Sequence, residues 1–529
     1  MTKDIRLLDC TLRDGGYVND WRFGNGPITC LFNRLNESGT DIIEIGFLDD
    51  RQPFDIDRTI QPDSESMDKV YKHVLKKKAM VVAMIDYGTC DINNVSPQSE
   101  SWVDGIRVIF KKEKMYGAVE YGRKIIEKGY KLFLQMVSIT SYSDDDIAEF
   151  CRIANEINPF GVSIVDTYGL MHKEMALHYY DELDKHLKPE IIIGYHSHNN
   201  LQLAYSNTIE FVNHAKRSIV VDGTLYGMGK SAGNAPIELL AEYLNNNYGK
   251  DYDIDQMLEA ICNDILDIQK KSTWGYNTNF YLASKNRCHP NYVKYLVDRG
   301  TISIKSVDDI LGSIEEVRKL KYDKAYIEKL YTQYVADYMG RSRSAEDLII
   351  ALEGKDLLLI GPGKSSNEEA ELIEDYRSKH LPVSISVNFI PDKIKVDYVF
   401  LNNTKRYSLM APSLNDSSVQ MIGTSNITTV GKSFDYVLEY ESLMKDKNEL
   451  FDNALALFMN FLDGVSIRTL TMAGFDGFGE DVTNNYINPS YERDNPYDYF
   501  KKVNSLLKDK IREFSRRIPV KFITRSRYW

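Results

Sequence analysis

At 529 residues, with 43% hydrophobic and 27% charged content, the chain has the composition of a globular protein of about three domains, fewer if one is a barrel. A net charge of −12 argues against a nucleic-acid-binding surface, and no run approaches the ~18 apolar residues of a membrane span. Six scattered cysteines without a C-x-x-C pair, and an N-terminus (MTKDIRLLDC) without a signal-peptide pattern, make a cytoplasmic protein with reduced thiols the expectation.

Residues 1 to about 245 alternate between β-type apolar runs and amphipathic stretches. The runs are Arg6–Cys10, Ile42–Phe47, Ala79–Ile85, Gly105–Phe110, Lys131–Ser138, Gly161–Asp166, Ile191–His198 and Ser218–Leu225. Each but the last is followed by a helix-like segment. Ser143–Ile157 is the clearest of these, with a capping Ser, an acidic first turn and apolar residues at helical spacing. Eight such units in about 250 residues predict a (β/α)8 TIM barrel, with a doubly wound open sheet as the alternative.

The seventh run leads into His196-Ser197-His198, flanked by Gly194 and Asn199. Strand positions two apart share a face, so both imidazoles point the same way and can grip one ion. In a closed barrel the first strand lies beside the eighth, and the eighth beside the seventh. Asp14, after strand one, and Asn234, after strand eight, then join the two histidines at the C-terminal rim, where barrel active sites sit. Two imidazoles, a carboxylate and an amide carbonyl suit a divalent ion, Mn²⁺ or Mg²⁺ first, with Zn²⁺, Fe²⁺ or Co²⁺ as alternatives. A 2-oxo acid offers such an ion its carboxylate and keto oxygen, and Arg13 could place a second positive charge at an enolate oxygen. Glu44, Asp86, Tyr87, Arg107, Gln135, Asp166, Thr167 and Tyr168 are further polar residues near strand ends that could line the pocket.

Leu12-Arg13-Asp14-Gly15, His196-Ser197-His198-Asn199, Gly227-Met228-Gly229 and Ala232-Gly233-Asn234-Ala235-Pro236 resemble, in this order, the motifs of the DRE-TIM metallolyases, in particular the pyruvate-aldolase branch with its 4-hydroxy-2-oxovalerate aldolases. The resemblance spans roughly residues 5 to 340. It implies a divalent metal held by Asp14, His196 and His198, completed by Asn234, with Arg13 stabilising the enolate. It also implies a metal-dependent aldolase acting on a 4-hydroxy-2-oxo acid, with a 2-oxo acid and an aldehyde as partners, and a homo-oligomer is expected. One departure stands out: those aldolases carry a catalytic His three residues after the metal Asp, and here the position is Tyr17. An ordinary Tyr, with a pKa of about 10, is a poor base at neutral pH, so Tyr17 has a changed role, or the base lies elsewhere, or the substrate differs. An acyl-CoA-dependent condensing enzyme or lyase of the same superfamily and a non-catalytic barrel are the competing readings. The acyl-CoA lyase loop Cys has no counterpart, since Lys230-Ser231 occupies that region.

Residues 249–345 are helical in pattern, and Trp274, Tyr276, Phe280 and Tyr281 there are expected mainly to pack, though one could cap the barrel mouth. Arg341-Ser342-Arg343-Ser344 reads as a linker. From 353 to 529 a second α/β pattern begins with Lys355–Ile360, and further strands are predicted at Val383–Phe389, Tyr398–Leu401, Val419–Gly423, Tyr436–Tyr440, Ile467–Met472 and Val520–Thr524. These form a C-terminal Rossmann-like α/β domain after the barrel (1–248) and its helical extension (249–345). Its Gly361-Pro-Gly-Lys-Ser-Ser366 loop could hold a phosphate or nucleotide, but it fits neither the Walker nor the dinucleotide fingerprint, and a plain strand-to-helix turn is the equal alternative. Gly474-Phe-Asp-Gly477-Phe is a second candidate loop of the same pocket.

Overall fold

The computed structural model describes residues 3–529 apart from 76–77, 300–301, 340–344, 415–417, 428, 430–432, 447, 482 and 493–494. The chain divides into two compact units, Met1–Pro290 and Asn291–Trp529. The expected linker at Arg341–Ser344 lies outside the described residues. Among the described residues no helix is long and apolar enough to cross a membrane.

The first unit is a closed parallel barrel. Its strands are β1 (Ile5–Asp9), β2 (Ile42–Leu48), a two-residue β3 (Ile60–Gln61), β4 (Met80–Asp86), β5 (Gly105–Phe110), β6 (Lys131–Met136), β7 (Gly161–Asp166), β8 (Ile192–Ser197) and β9 (Ile219–Gly223). The order runs β1-β9-β8-β7-β6-β5-β4-β2, and pairing of β1 with β2 (Leu8↔Ile42, Asp9↔Ile43) closes the circle. All eight predicted strands are present, and closure rules out the open sheet. The short β3 is an addition. It pairs beside the end of β2, where Gly46 has φ +147 and a Cβ would land on the Thr59 carbonyl. The register of β2 against β4 shifts at the same place.

Alternation within the strands sorts side chains into two layers. Leu7, Ile43, Val81, Ala83, Ile106 and Val108 face outward into the core shared with the helices. The helix Asp144–Ile157 supplies Ile147, Phe150, Cys151, Ala154 and Ile157 to that core and starts with a capping box between Ser143 and Asp146. The other parity faces inward. Leu8, Ile42, Val82, Phe133, Ile192 and Val220 form an apolar plug inside the barrel. Two residues further along the same faces come Glu44, Gln135 and Asp222, a buried polar layer nearer the C-terminal rim.

The second unit carries helices followed by a seven-stranded parallel sheet. Its strands are β10 (Asp356–Ile360), β11 (Val383–Val387), β12 (Tyr398–Leu401), β13 (Gln420–Thr424), β14 (Tyr436–Leu438), β15 (Thr469–Ala473) and β16 (Val520–Phe522), in the order β14-β13-β12-β11-β10-β15-β16. Alternate residues of β10 enter different cores, Leu357 and Leu359 one, Leu358 and Ile360 the other, so both faces are covered as in a doubly wound domain. The helix Ala345–Leu352 gives Leu348 and Leu352 to the first of these cores.

We propose 1–345 as a piece that folds without the remainder. Limited proteolysis is expected to cut first between residues 341 and 353 and to release a soluble N-terminal fragment that keeps its bound metal. An insoluble 1–345 fragment beside a stable full chain would move the boundary.

Candidate metal centre at the barrel rim

The chain leaves β1 in a tight turn in which the Asp14 amide donates to the Cys10 carbonyl at 2.7 Å. This turn carries Arg13 and Asp14 over the barrel mouth. His196 lies within β8 and His198 just past its end. Asn234 sits on the loop after β9, bridged to His198 in antiparallel fashion. Asp14, His196 and His198 are all buried, and each offers a ligand atom within 4.8 Å of the others. Barrel closure thus brings together all four residues expected at the metal from sequence.

Hydrogen bonds settle which atoms face the site. His196 Nδ1 lies 3.0 Å from Asp222 Oδ2, an acceptor, so Nδ1 carries the proton and Nε2 is bare. His198 Nδ1 lies 3.2 Å from the Gly233 carbonyl, with the same consequence. Such partners commonly orient metal-binding imidazoles. Burial, with His196, Lys230 and Arg13 adding to it and Asp14 opposing, pushes His198 down to about 4, so it is neutral at neutral pH. Burial alone would raise Asp14. The Arg13 charge first, the two imidazoles where acid protonates them, and the Asn234 hydrogen bond instead hold it well below the usual carboxylate range. Asn234 Nδ2 donates to Asp14 Oδ2 at 2.6 Å and to the Met228 carbonyl at 3.2 Å. Both partners are acceptors, which fixes the amide orientation and leaves Oδ1 buried without a hydrogen-bond partner. Gly229 makes this approach possible, since a Cβ there would lie 2.6 Å from Asp14 Oδ2. Two bare imidazole nitrogens, an ionised carboxylate and an orphaned amide oxygen are a donor set that fits a divalent cation.

Behind the site runs a chain of buried ion pairs. Arg13 Nη1 meets Asp14 Oδ1 at 2.6 Å, and its Nε meets Glu44 Oε2 at 2.6 Å. Arg107 Nη1 reaches the same Glu44 oxygen at 3.0 Å, while its Nη2 pairs with Asp222 and with Gln135 Oε1 at 3.0 Å. Asp222 holds His196, whose Nε2 lies 4.0 Å from Asp14 Oδ1. The circuit therefore returns to its start. Three carboxylates against two guanidiniums leave one formal negative charge in a buried place, which a bound cation would offset.

Tyr17 stands at the edge of this cluster, edge-on to Trp21 (centroids 4.7 Å) and with the Lys230 ammonium 5.3 Å from its ring centre. The residue as a whole is 41% exposed. Desolvation at the hydroxyl and the Asp14 charge nonetheless push it up to about 12, against the opposing Arg13.

The other polar residues noted from sequence divide. Glu44, Arg107 and Gln135 belong to the circuit. Asp166 accepts the amides of Leu170 and Met171 and shapes a turn, and Thr167 accepts the Ser138 amide. Asp86 is exposed and Tyr87 half-buried. Tyr168 packs edge-on against His289 at 5.6 Å. Sequence reasoning assigned no role to Asp222, Cys10 or His289. A signal existed for Asp222, a lone acid in the buried apolar strand IVVDG. Cys10, His196 and Asp222 form a second group with metal-ligand spacing. Burial raises the Cys10 thiol well above its ordinary value and Sγ donates to the Gly223 carbonyl, so this trio reads better as support for His196 than as a cage.

Residues 4–263 match the family model described as HMGL-like. This domain belongs to the DRE-TIM metallolyase superfamily. The metallolyase domain is 27% identical over 270 residues to a 4-hydroxy-2-oxovalerate aldolase of Pelotomaculum thermopropionicum, covering 49% of this chain and 75% of the relative. It is 25% identical over 261 residues to an oxaloacetate decarboxylase of Mycobacterium tuberculosis, covering 49% and 76%. Among solved structures, the N-terminal domain of a putative aldolase from Bacteroides vulgatus aligns at 23% identity and a TM-score of 0.47, over 57% of this chain and 98% of that one. The metal-ligand cluster of this domain is consistent with the carbon–carbon lyase chemistry of that superfamily.

Proposed function

We propose that the protein is a divalent-metal-dependent aldolase that cleaves or forms a 4-hydroxy-2-oxo acid, through the enolate of a 2-oxo acid and an aldehyde. In this reading Asp14, His196, His198 and Asn234 hold the ion, with Mn²⁺ or Mg²⁺ first choices. The observation that carries it is the convergence of Asp14, His196 and His198, each with a ligand atom within 4.8 Å of the others, with Asn234 hydrogen-bonded to Asp14 and the buried Arg13 beside them. A bound ion would supply Lewis acidity for forming the enolate of a 2-oxo acid. Arg13, locked between Glu44 and Asp14, keeps a positive charge directed at the rim, where an enolate oxygen would develop. Tyr17 keeps its proton at neutral pH and therefore serves as donor or relay at the C4 oxygen rather than as a free base. Relatives named 4-hydroxy-2-oxovalerate aldolase support the reading. Among the described residues no cysteine is in a disulfide, which supports a reducing, cytoplasmic setting. A homo-oligomer belongs to the same reading.

Tyr17 also favours a second reading. Decarboxylation of a 2-oxo acid that carries a carboxylate at C3 needs no base at a C4 hydroxyl, and one relative is named an oxaloacetate decarboxylase. Mass spectrometry decides between the two. Pyruvate and 2-oxobutyrate are incubated with a panel of aldehydes and Mn²⁺, and oxaloacetate is assayed for loss of CO2. Aldol adducts are expected. Their absence together with rapid decarboxylation would replace the first reading by the second, and no turnover of any kind would leave a non-catalytic barrel.

Tyr17→Phe is expected to slow aldol turnover by roughly a hundredfold while C3 proton exchange of a bound 2-oxo acid persists. Tyr17→His is expected to gain cleavage of 4-hydroxy-2-oxovalerate. Unchanged aldol turnover in Tyr17→Phe would reduce Tyr17 to a pocket wall.

A further inference from the structure

In the C-terminal sheet the chain leaves β10 towards β11 on one side and later returns to β15 on the other. A parallel sheet opens a crevice at the carboxyl ends of its strands where the winding reverses, and ligands bind there. A cavity of about 200 Å³ lies at this place, between the loop after β10 (Pro362, Gly363), the loop after β11 (Asn388) and the loop after β15 (Gly474–Phe478).

The glycine loop itself is not available to an anion. The Ser365 amide donates to Asp476 Oδ2 at 2.9 Å, and Ser365 Oγ donates to the other oxygen of the same carboxylate. Gly361 and Gly363 press on the Gly474 carbonyl so closely that a Cβ on either would lie 2.6 Å from it. The place a phosphate would take is filled by the domain's own negative charge.

The cavity beside it has different chemistry. Arg406 forms one wall. Its guanidinium lies 3.6 Å from the Tyr491 ring centre, and Nη2 donates to the Tyr491 carbonyl at 2.9 Å. Lys405 stands next to it at the exposed edge. Glu492 also lines the cavity, but Oε1 accepts the Asn485 and Tyr486 amides at 2.7 and 2.9 Å, so its charge is engaged. Phe475 and Phe478 add apolar lining, Phe478 with one face already stacked on Phe500 at 4.4 Å, and Asn388 and Asn453 line it with amides. Asn388 is held at φ +57, with Nδ2 donating to Asn402 Oδ1 at 2.7 Å, a strained position of the kind found at ligand sites.

We propose that this cavity binds a small phosphorylated ring compound, a nucleoside monophosphate or a sugar phosphate, with the ring against Phe475 and Phe478 and the phosphate on Arg406 and Lys405. At about 200 Å³ the cavity suits a compact ligand. The site is independent of the aldolase reading.

Calorimetric titration of the full-length protein tests it, with CMP, UMP, AMP, glucose 1-phosphate, NAD⁺ and inorganic phosphate as probes. Saturable binding of a nucleoside monophosphate or of the sugar phosphate is expected, and which of them binds identifies the source. Arg406→Lys should weaken it about tenfold, because an ammonium cannot reproduce the stacked, forked guanidinium. Lys405→Ala, at an exposed position, should weaken it with an unchanged melting temperature. Lys364→Ala, in the glycine loop, should leave it unchanged. No binding of any ring phosphate at millimolar concentration overturns the proposal. So does inorganic phosphate binding as tightly as the ring compounds, or a loss confined to Lys364→Ala.

Discussion

Replacing His196 or His198 with Ala is expected to remove stoichiometric metal and turnover together. Each imidazole offers one bare Nε2 because its Nδ1 proton is committed, to Asp222 in one case and to the Gly233 carbonyl in the other. Losing either leaves three of the four donors, and Asp14 and Asn234 cannot shift to replace it, since both are buried and the Asn234 Nδ2 is tied to Asp14 Oδ2. Asp222→Asn makes a graded control. It keeps the shape but weakens the hold on His196, and a loss of about ten- to hundredfold in metal affinity is expected. Elemental analysis of the purified variants, with circular dichroism to confirm the fold, reads the result. Full occupancy by metal in the His196→Ala/His198→Ala double variant would refute the site.

Arg13→Ala should lower kcat by roughly two to four powers of ten while changing metal affinity little at neutral pH. The enolate charge that Arg13 meets appears only as the bond breaks, so its loss falls on the transition state. The structure adds a second consequence. Arg13 is the largest favourable influence keeping Asp14 ionised, against the cost of burial. Without it the Asp14 pKa rises towards the value burial alone would set. Metal binding, which needs the carboxylate, is then lost at a higher pH in the variant than in the parent as the solution is acidified. Breaking a buried pair also costs about 3–5 kcal/mol of stability, so Arg13→Lys, which keeps the charge but loses the fork, separates folding from catalysis. A kcat unchanged in Arg13→Lys and Arg13→Ala alike would remove Arg13 from the chemistry.

Much of this protein is legible from local pattern. Strands buried on both faces must be apolar almost throughout, and β2, with all seven residues buried, shows why such runs stand out. The spacing of two placed His196 and His198 on one face, and Ser143 with its acidic turn marked a helix start, because these periodicities are properties of neighbouring residues. The same holds for the seven strands of the second sheet. Barrel closure, read from the eight repeats, also brought Asp14 and Asn234 to the histidines, but the individual side-chain contacts across the fold were not legible. Asp222 is 26 residues from His196 and Arg107 is 115 from Asp222, and only barrel closure joins them into a circuit with Glu44 and Arg13. The bare Nε2 atoms, the orphaned Asn234 Oδ1 and the raised Tyr17 hydroxyl follow from which groups meet in a space closed to water, where burial and neighbouring charges set protonation. The glycine loop of the second domain makes the same point in reverse. Its pattern suggested an anion site, and Asp476, 111 residues away, arrives through the pairing of β10 with β15 to fill it.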